Sequence, residues 1–521
     1  MKRTVLPALV LAVAVLCAYH GSFRGAFVFD DGLRIVENPR IRRVWPPWDA
    51  MTATSRPLVQ LSFAANYAAG GLDPRGYHAV NLAVHVLATL VLFAFLRGTL
   101  VRPAFPASVR DAAPGLAFAS ALLWGVHPLG TQAVTYVVQR SEALVSLCYL
   151  LVLYAFVRGV EAPRPGRWWV LAIASAALGA GCKAVIVSAP LLVALYDRVF
   201  VARSLREMLA RRRTLYLGLA TVWPLAALVL ARGSDDWSRS AGLSFGRVGL
   251  GQYAAAQPAV VLHYLRLVLW PDPLVLDYAW PVPNGPGDVA PALLAIAGLL
   301  AATVWALRRA PGVGFFAAWF FLVLLPSSSV VPIADLAFEH RVYLALAGPV
   351  VLVVLGAHAV LGRLGRRAGA VEVAVLIAVA ATLGALTARR NLDYASPHAI
   401  WADTVAKRPA NARAHQNLAV VLDDEGRLAD AVAGYEAAIR LRPEYADALS
   451  SLGWALYRQG DAERAVGYYR AALAAEPWHA GAHANLGVAL ADRGRTAEAI
   501  AEFTEALRVS PGSPQAHYNL G

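Results

Sequence analysis

The sequence predicts an all-α chain in two parts. A polytopic membrane helical domain covers residues 1–390, and an α-solenoid covers 409–521, with a half-repeat connector helix over 391–408 between them. Three observations predict this. The 521 residues are 58% apolar and only 16% charged, with a mean hydropathy of +0.51, against about 25% charge in an ordinary soluble domain. Long apolar runs fill the first part. The second part is polar, Ala-rich and periodic. Together these exclude a disordered chain, a collagen-like chain and a purely soluble enzyme.

The net charge of +13 comes from 47 basic and 34 acidic residues. The lysines are Lys2, Lys183 and Lys407; arginine supplies the rest. The arginines cluster between apolar runs, which is the positive-inside pattern of a membrane protein, so nucleic acid is not an expected partner and the lipid bilayer is. Cys17, Cys148 and Cys182 lie in or beside apolar segments. No CxxC, metal-ligand spacing, P-loop or HExxH occurs.

A helix needs about 20 residues to span a bilayer. Apolar runs lie near 4–20, 79–96, 115–134, 143–158, 168–182, 184–197, 214–231, 255–270, 290–307, 313–329, 342–361 and 370–388. Met1-Lys2-Arg3 precedes the first run. No small-x-small cleavage site follows it, and Leu16 stands before Cys17, so it reads as an uncleaved helix entering from the cytoplasm. Arginine clusters at 97–110, 158–167, 198–213, 308–309 and 363–367 should share the cytoplasmic side. Parity then allows one crossing between 231 and 308 beyond 214–231. The run 255–270, with Gln257, Pro258, His263 and Arg266, is the poorer span and reads as an interfacial or re-entrant helix. That leaves about eleven crossings. It makes the chain a multi-pass cell (inner) membrane protein with its C-terminal part periplasmic or extracellular. The pair 168–182 and 184–197 is short for two full spans.

From 409 onward, equivalent residues recur every 34 positions: Leu418, Leu452, Leu486 and Leu520; Gly426, Gly460 and Gly494; Tyr435, Tyr469 and Phe503; Pro443, Pro477 and Pro511. Small residues where helices cross, an aromatic knob and a closing proline at this period define the tetratricopeptide repeat. Three repeats and the start of a fourth fit. Trp401 and Pro409 extend the register backwards, so 397–408 reads as a lone second helix that caps the solenoid. The concave groove suits an acceptor protein or peptide; a spacer or oligomerisation arm is the alternative.

Several polar residues have no reason to be there if the membrane part is only an anchor. Asp30 and Asp31 follow the first span directly. Two adjacent carboxylates at a membrane surface raise one another's pKa unless a cation or hydrogen bond offsets it. This suits a general base facing an acceptor hydroxyl; a solvated turn or helix cap would also place them there. Arg56 follows in the same loop. His78, Asn81 and His85 share one face of the second span, facing a cavity or serving as interhelical hydrogen bonds. Arg140 and Glu142 open the fourth span. Lys183 lies between the fifth and sixth, and Pro332 to Asp335, Glu339, His340 and Arg341 precede the tenth. All these charges fall on the predicted outer side. Carboxylates with arginine and lysine at one face suit chemistry on a phosphate-linked lipid, the cations holding the phosphate.

The motifs F-x-F-D-D from Phe27, R-P-L from Arg56, G-Y-H-x-x-N-L-x-x-H from Gly76, H-P-x-x-T-x-A-V-x-Y from His127, C-K at Cys182 and E-H-R-x-Y from Glu339, followed by the repeats, resemble the transmembrane and tetratricopeptide-repeat O-mannosyltransferase family and its bacterial relatives. The resemblance runs from Phe27 to Gly521. It implies a GT-C-like glycosyltransferase fold, a polyprenyl-phosphate sugar donor (mannose in the family's namesake activity), and an aspartate of the first outer loop, Asp30 or Asp31, as catalytic base. Arg56, His78, Arg140, Glu142, Lys183, Glu339, His340 and Arg341 would bind the donor phosphate or substrate. Two positions depart from the family pattern. Gln132 stands where glutamate usually follows threonine, and Ala184 where glutamate usually follows lysine. The expected reaction is an inverting sugar transfer in which no second acid is needed. No cofactor is required and no metal site is indicated, though the chemistry would tolerate a divalent cation. A non-catalytic scaffold and a lipid-linked oligosaccharide ligase are the competing readings.

Overall fold

A computed structural model describes residues 2–233, 249–329, 333 and 335–521; Pro332 and Ala334 of the loop before Glu339 lie outside the described residues. Among the described residues no strand forms. The chain divides into two units, Met1–Leu274 with Trp280–Ser396, and Val275–Ala279 with Pro397–Gly521. The boundary therefore falls inside the expected connector. Residues 391–393 finish the helix Ala368–Asp393, and Pro397–Lys407 opens the second unit.

Among the described residues of the first unit, six helical stretches are long and apolar enough to cross a membrane: Val5–Arg24, Pro74–Leu100, Val137–Glu161, Leu205–Arg232, Pro286–Arg309 and Ala347–Asp393. The last is two helices, Ala347–Leu361 and Ala368–Asp393, separated at Gly365, whose φ of +61° glycine adopts without steric cost. Leu250–Leu269 is helical for 20 residues but is not among the six. Gln252, Gln257, His263 and Arg266 lower its hydropathy, while Tyr253, Val260, Tyr264 and Leu267 are buried against the protein. One face of this helix therefore packs against the rest of the unit. Helices Gly166–Ala180 and Ala189–Phe200, joined by the 3-10 turn Ala184–Ser188, have 15 and 12 residues, short of the roughly 20 a span needs.

The run 115–134 is not one helix, contrary to the sequence expectation. The helix Ala113–Gly125 stops before His127-Pro128, because the residue before a proline is pushed out of the helical region. Short turns over Pro128–Gly130, Thr131–Val134 and Val137–Gln139 follow, all buried. Buried irregular backbone must find partners. Here side chains supply them. Thr387 donates to the Val126 carbonyl at 2.7 Å, and Asn81 Nδ2 donates to those of Val134 and Val137 at 3.0 and 3.3 Å. In the 198–213 cluster, Arg212 is buried and pairs with Asp197 through Nη1 at 2.9 and 3.0 Å, while Tyr216 donates to the same carboxylate. That arginine is part of the packing as well as of the charge pattern.

The second unit pairs Ala412–Asp424 with Leu428–Leu441, Ala446–Arg458 with Ala462–Ala475, and Ala480–Ala491 with Thr496–Val509, then begins Pro514–Leu520. Gly426, Gly460 and Gly494 close each pair's turn at φ of +79°, +86° and +74°, which explains their strict period. Tyr435, Tyr469 and Phe503 are buried between the helices they join. Asp277, from the inserted segment Val275–Ala279, accepts from Asn411 Nδ2 at 3.0 Å and from Arg413 Nε and Nη2 at 2.7 Å each.

Candidate active site

The first helix ends in a 3-10 turn, His20–Arg24, and the chain then turns sharply at Phe29, whose φ is +50°. A bulky residue with positive φ is strained and needs surroundings that hold it. Asp31 is what holds it. This carboxyl is fully buried; Oδ2 accepts from the Val28 amide at 3.0 Å and Oδ1 from the Val138 amide at 2.7 Å. It thereby ties the first loop to the irregular segment after His127-Pro128. Burial raises its pKa to about 8, the Val28 and Val138 amides pull the other way, and Asp30 adds to the rise.

Asp30, the next carboxyl, has a different setting. Its amide donates to the Tyr136 hydroxyl at 3.0 Å, and the residue is half-buried. Burial raises its pKa, and Asp335 adds to this; Arg34, Arg56 and the Tyr136 hydroxyl oppose it. Asp30 thus stands where the first loop, the 127–139 segment and the 335–341 loop meet.

Arg56 links this carboxylate to a cluster of cations. It also acts on Lys183 and His340. Lys183, 20% exposed, donates to Glu142 Oε1 at 2.7 Å. Burial lowers its pKa to about 8 against the pull of Glu142, with Arg56 and Arg341 pushing the same way as burial. Arg341 donates to the carbonyls of Asp335 at 2.5 Å and Leu336 at 3.1 Å, and to the Tyr253 hydroxyl at 3.4 Å. His340 stacks on Phe338 with ring centroids 5.0 Å apart. Burial, then Lys183, Arg341 and Arg56, hold its imidazole neutral, well below its usual pKa. Glu339 is buried beside it. The fold thus gathers Asp30, Arg56, Glu142, Lys183, His340 and Arg341 around one polar site.

Gln132 has a clear position. Its Oε1 accepts from the His340 amide at 2.8 Å and from Nδ1 at 3.0 Å. An amide oxygen accepts as a carboxylate oxygen would, so the departure from the family pattern keeps the acceptor and drops a negative charge. Because Nδ1–H donates to this oxygen, the lone pair of the neutral ring is on Nε2.

Two residues expected at the site are placed elsewhere. Arg140 is fully buried, with Nε donating to Asn81 Oδ1 at 2.6 Å, Nη1 to the Ser62 carbonyl and hydroxyl at 3.2 and 3.1 Å, and Nη2 to the Tyr77 carbonyl at 3.0 Å. It lies over the Phe63 and Tyr77 rings at 4.6 and 5.6 Å. A guanidinium so enclosed spends its donors on the protein, which gives it a packing role. His78 is likewise buried, its Nε2 at 3.2 Å from the Gly25 carbonyl. A Cβ at Gly25 would lie 2.7 Å from that nitrogen, so glycine is required for the approach. Arg34, Tyr136 and Tyr253 were not anticipated. Tyr136 closes one of the motifs read above, but nothing in the sequence assigns its hydroxyl to Asp30. The described residues hold no group of three or more His, Cys, Asp or Glu side chains placed to bind a metal ion.

Fold and site together define an all-helical membrane protein that carries a carboxylate and cation cluster in its membrane unit and a tetratricopeptide solenoid after it. Comparison with known proteins agrees. Residues 382–446, 424–477 and 450–514 match the family model described as tetratricopeptide repeat. Protein O-mannosyl-transferase Tmtc3 of Drosophila melanogaster is 26% identical over 514 residues, which cover 84% of this chain and 55% of that protein. Protein O-mannosyl-transferase TMTC1 of Mus musculus is 36% identical over 169 residues, 30% of this chain and 17% of that one. The chain is similar to these TMTC proteins, and it spans about half the length of the first and less of the second. Among solved structures, the crystal structure of ArnT from Cupriavidus metallidurans bound to undecaprenyl phosphate aligns over 79% of this chain and 80% of that one. Its TM-score is 0.42 at 15% identity.

Proposed function

We propose that the chain is a membrane glycosyltransferase that moves a sugar, mannose in the simplest case, from a polyprenyl-phosphate donor to the hydroxyl of a protein or peptide acceptor at the outer face of the membrane. The observation that carries the reading is Asp30: a half-buried carboxyl on a strained turn, facing Arg34 and Arg56, with Lys183 and Arg341 beyond. The relatives' names, protein O-mannosyl-transferases, support it.

The reaction needs two charges handled at once. Asp30 takes the acceptor's hydroxyl proton as its oxygen attacks the sugar C1. The new O–C1 bond forms while the bond from C1 to the phosphate oxygen breaks, with inversion at C1. Polyprenyl phosphate leaves as an anion, and Arg56, Lys183 and Arg341 stabilise that charge where it develops. The departing phosphate needs no proton, so one base is enough. Asp31, with both oxygens bonded to backbone amides, orients Asp30 and takes no proton from substrate. His340, neutral and fixed by Gln132, accepts a sugar or acceptor hydroxyl through Nε2. The repeats recruit the acceptor polypeptide.

The test is sugar transfer from polyprenyl-phosphate mannose to a serine- or threonine-containing peptide by the purified chain. Wild type should turn over. Asp30→Asn keeps shape but cannot take the proton, and should lose about 10²–10⁴-fold in kcat with an unchanged melting temperature. Wild-type rates in Asp30→Asn would remove the mechanism.

A further inference from the structure

The first loop holds a second cationic site that the chemistry above does not use. Asn38 caps the turn Pro39–Arg42 by accepting from the Arg40 amide at 3.0 Å. The turn and Arg43 after it present three guanidinium groups to a cleft of about 550 Å³, which Pro39, Asp49 and Thr52 complete. Arg40 Nη1 donates to the carbonyls of Thr52 and Ala53 at 3.1 and 3.4 Å. Arg42 lies 4.5 Å over the Tyr67 ring, and its Nη2 donates to the Val36 carbonyl. Its Nη1 is buried and has no hydrogen-bond partner among the described residues. Among the described residues that line it, Asp49 is the only carboxylate, so three positive charges face one negative.

The same stretch exposes apolar side chains that a soluble loop would hide. Trp45 and Trp48 are 76% and 58% exposed, their rings 5.9 Å apart, and Leu33 is 70% exposed. They lie between a helix apolar enough to span, Val5–Arg24, and the next, Pro74–Leu100. Tryptophan beside membrane spans marks the headgroup level, where its ring is apolar and its N–H is wet. Guanidinium groups bind phosphate oxygens in a planar fork. Indoles beside arginines therefore fit one ligand that has both a phosphate and acyl chains.

We propose that Arg40, Arg42 and Arg43 form a docking site for the phosphate of an anionic glycerophospholipid in the adjacent leaflet, with Trp45 and Trp48 inserted at its headgroup level. A soluble anion would meet the arginines but leave both indoles in water, so the bilayer is the source of the phosphate. The site holds the loop that carries Arg34 and Asp30 against the membrane, because Arg42 bonds the Val36 carbonyl and Asn38 Nδ2 bonds that of Arg34 at 3.1 Å. It stands whether or not the chain transfers sugar.

The experiment is native mass spectrometry of the purified full chain titrated with phosphatidylglycerol, phosphatidylcholine or inorganic phosphate. Wild type should bind phosphatidylglycerol at least about tenfold more tightly than phosphatidylcholine, since each arginine at a charged surface contributes substantially to lipid affinity. Arg40→Gln/Arg42→Gln/Arg43→Gln should lose that preference, and Trp45→Ser/Trp48→Ser should weaken both lipids. Arg43 is exposed, so Arg43→Gln alone, expected to reduce the preference about threefold, keeps the test readable if the triple variant does not fold. An undiminished preference in the arginine variants would overturn the proposal, as would unchanged lipid binding in the tryptophan variant. Inorganic phosphate bound as tightly as phosphatidylglycerol would overturn it in favour of a soluble-anion site.

Discussion

Two neighbouring clusters in the membrane unit are built from the same residue types and were read from the same motifs. Around Arg140, every partner is protein: Asn81, Ser62 and Tyr77 accept its donors and two aromatic rings enclose it. Around Asp30, Lys183 and Arg341 the charges lie at the meeting point of three loops, and Lys183 and Asp30 keep some exposure. The first cluster spends its charge on holding helices and loop together. The second differs in exposure: Lys183 keeps 20% of its side chain exposed and Asp30 is half-buried, where Arg140 is sealed.

The largest effect should come from breaking the sealed cluster. Arg140→Ala leaves Asn81 and the Tyr77 carbonyl without their donor in the interior and opens a cavity between Phe63 and Tyr77. It should cost about 3 kcal/mol or more, read as a lower melting temperature and loss of folded yield. A stable Arg140→Ala protein would dissolve the distinction between the clusters. Next, Glu142→Gln/Lys183→Gln removes an ion pair together, so neither charge is stranded. Stability should change little, while kcat falls about 10²-fold through the lost stabilisation of the leaving phosphate. A fall in melting temperature with unchanged kcat would assign this pair to packing.

Asp31 separates the two roles within one dipeptide. Asp31→Asn turns one acceptor into a donor facing a backbone N–H and should cost about 1–3 kcal/mol, where Asp30→Asn costs little. The pH dependence has a definite sign. Asp31's folded pKa, about 8, lies above its unfolded value of about 3.9. Its contribution to stability is complete below the unfolded value and is lost as pH rises to about 8. Melting curves across that window should show the slope in wild type and not in Asp31→Asn. The smallest effect belongs to the repeat unit. Burial alone would raise the Asp277 carboxyl, but Arg413 and Asn411 overcome this and hold it low. Its contribution is therefore present above the unfolded value and lost as pH falls through the folded one. Asp277→Asn should flatten the acid limb of that unit's unfolding by about 1 kcal/mol.

The repeat unit was legible almost residue by residue, because each helix pair must satisfy the same turn and the same crossing. Gly426, Gly460 and Gly494 adopt the positive φ that their spacing implies. Helix positions in the membrane unit were also legible from apolar length, but span lengths were not: among the described residues six stretches are long enough to cross where about eleven crossings were expected, and His127-Pro128 breaks a run that composition alone would continue. The site was legible as a set of residue types and not as an arrangement. Sequence places Arg140 and Lys183 alike, as cations beside spans. Which of them is sealed depends on Ser62, Tyr77 and Asn81, brought to Arg140 from 59 to 78 residues away along the chain. The pairing of Asp30 with Tyr136 spans 106 residues and leaves no periodic trace. Between the two aspartates the sequence leaves the base open; the bonds of Asp31 to the Val28 and Val138 amides supply the physical reason to favour Asp30.

The central claim is that Asp30 is the proton acceptor and that its surroundings set its pKa. The most direct measurement is the pH dependence of kcat for transfer from a polyprenyl-phosphate sugar, by wild type and by Asp30→Asn. Burial raises the Asp30 carboxyl, so the rate should climb with pH along a limb lying above the ordinary carboxylate range of about 3.9 to 4.3. In Asp30→Asn that limb should vanish along with most of the rate. A limb that persists unchanged in Asp30→Asn, or a variant that turns over at the wild-type rate, would contradict the account.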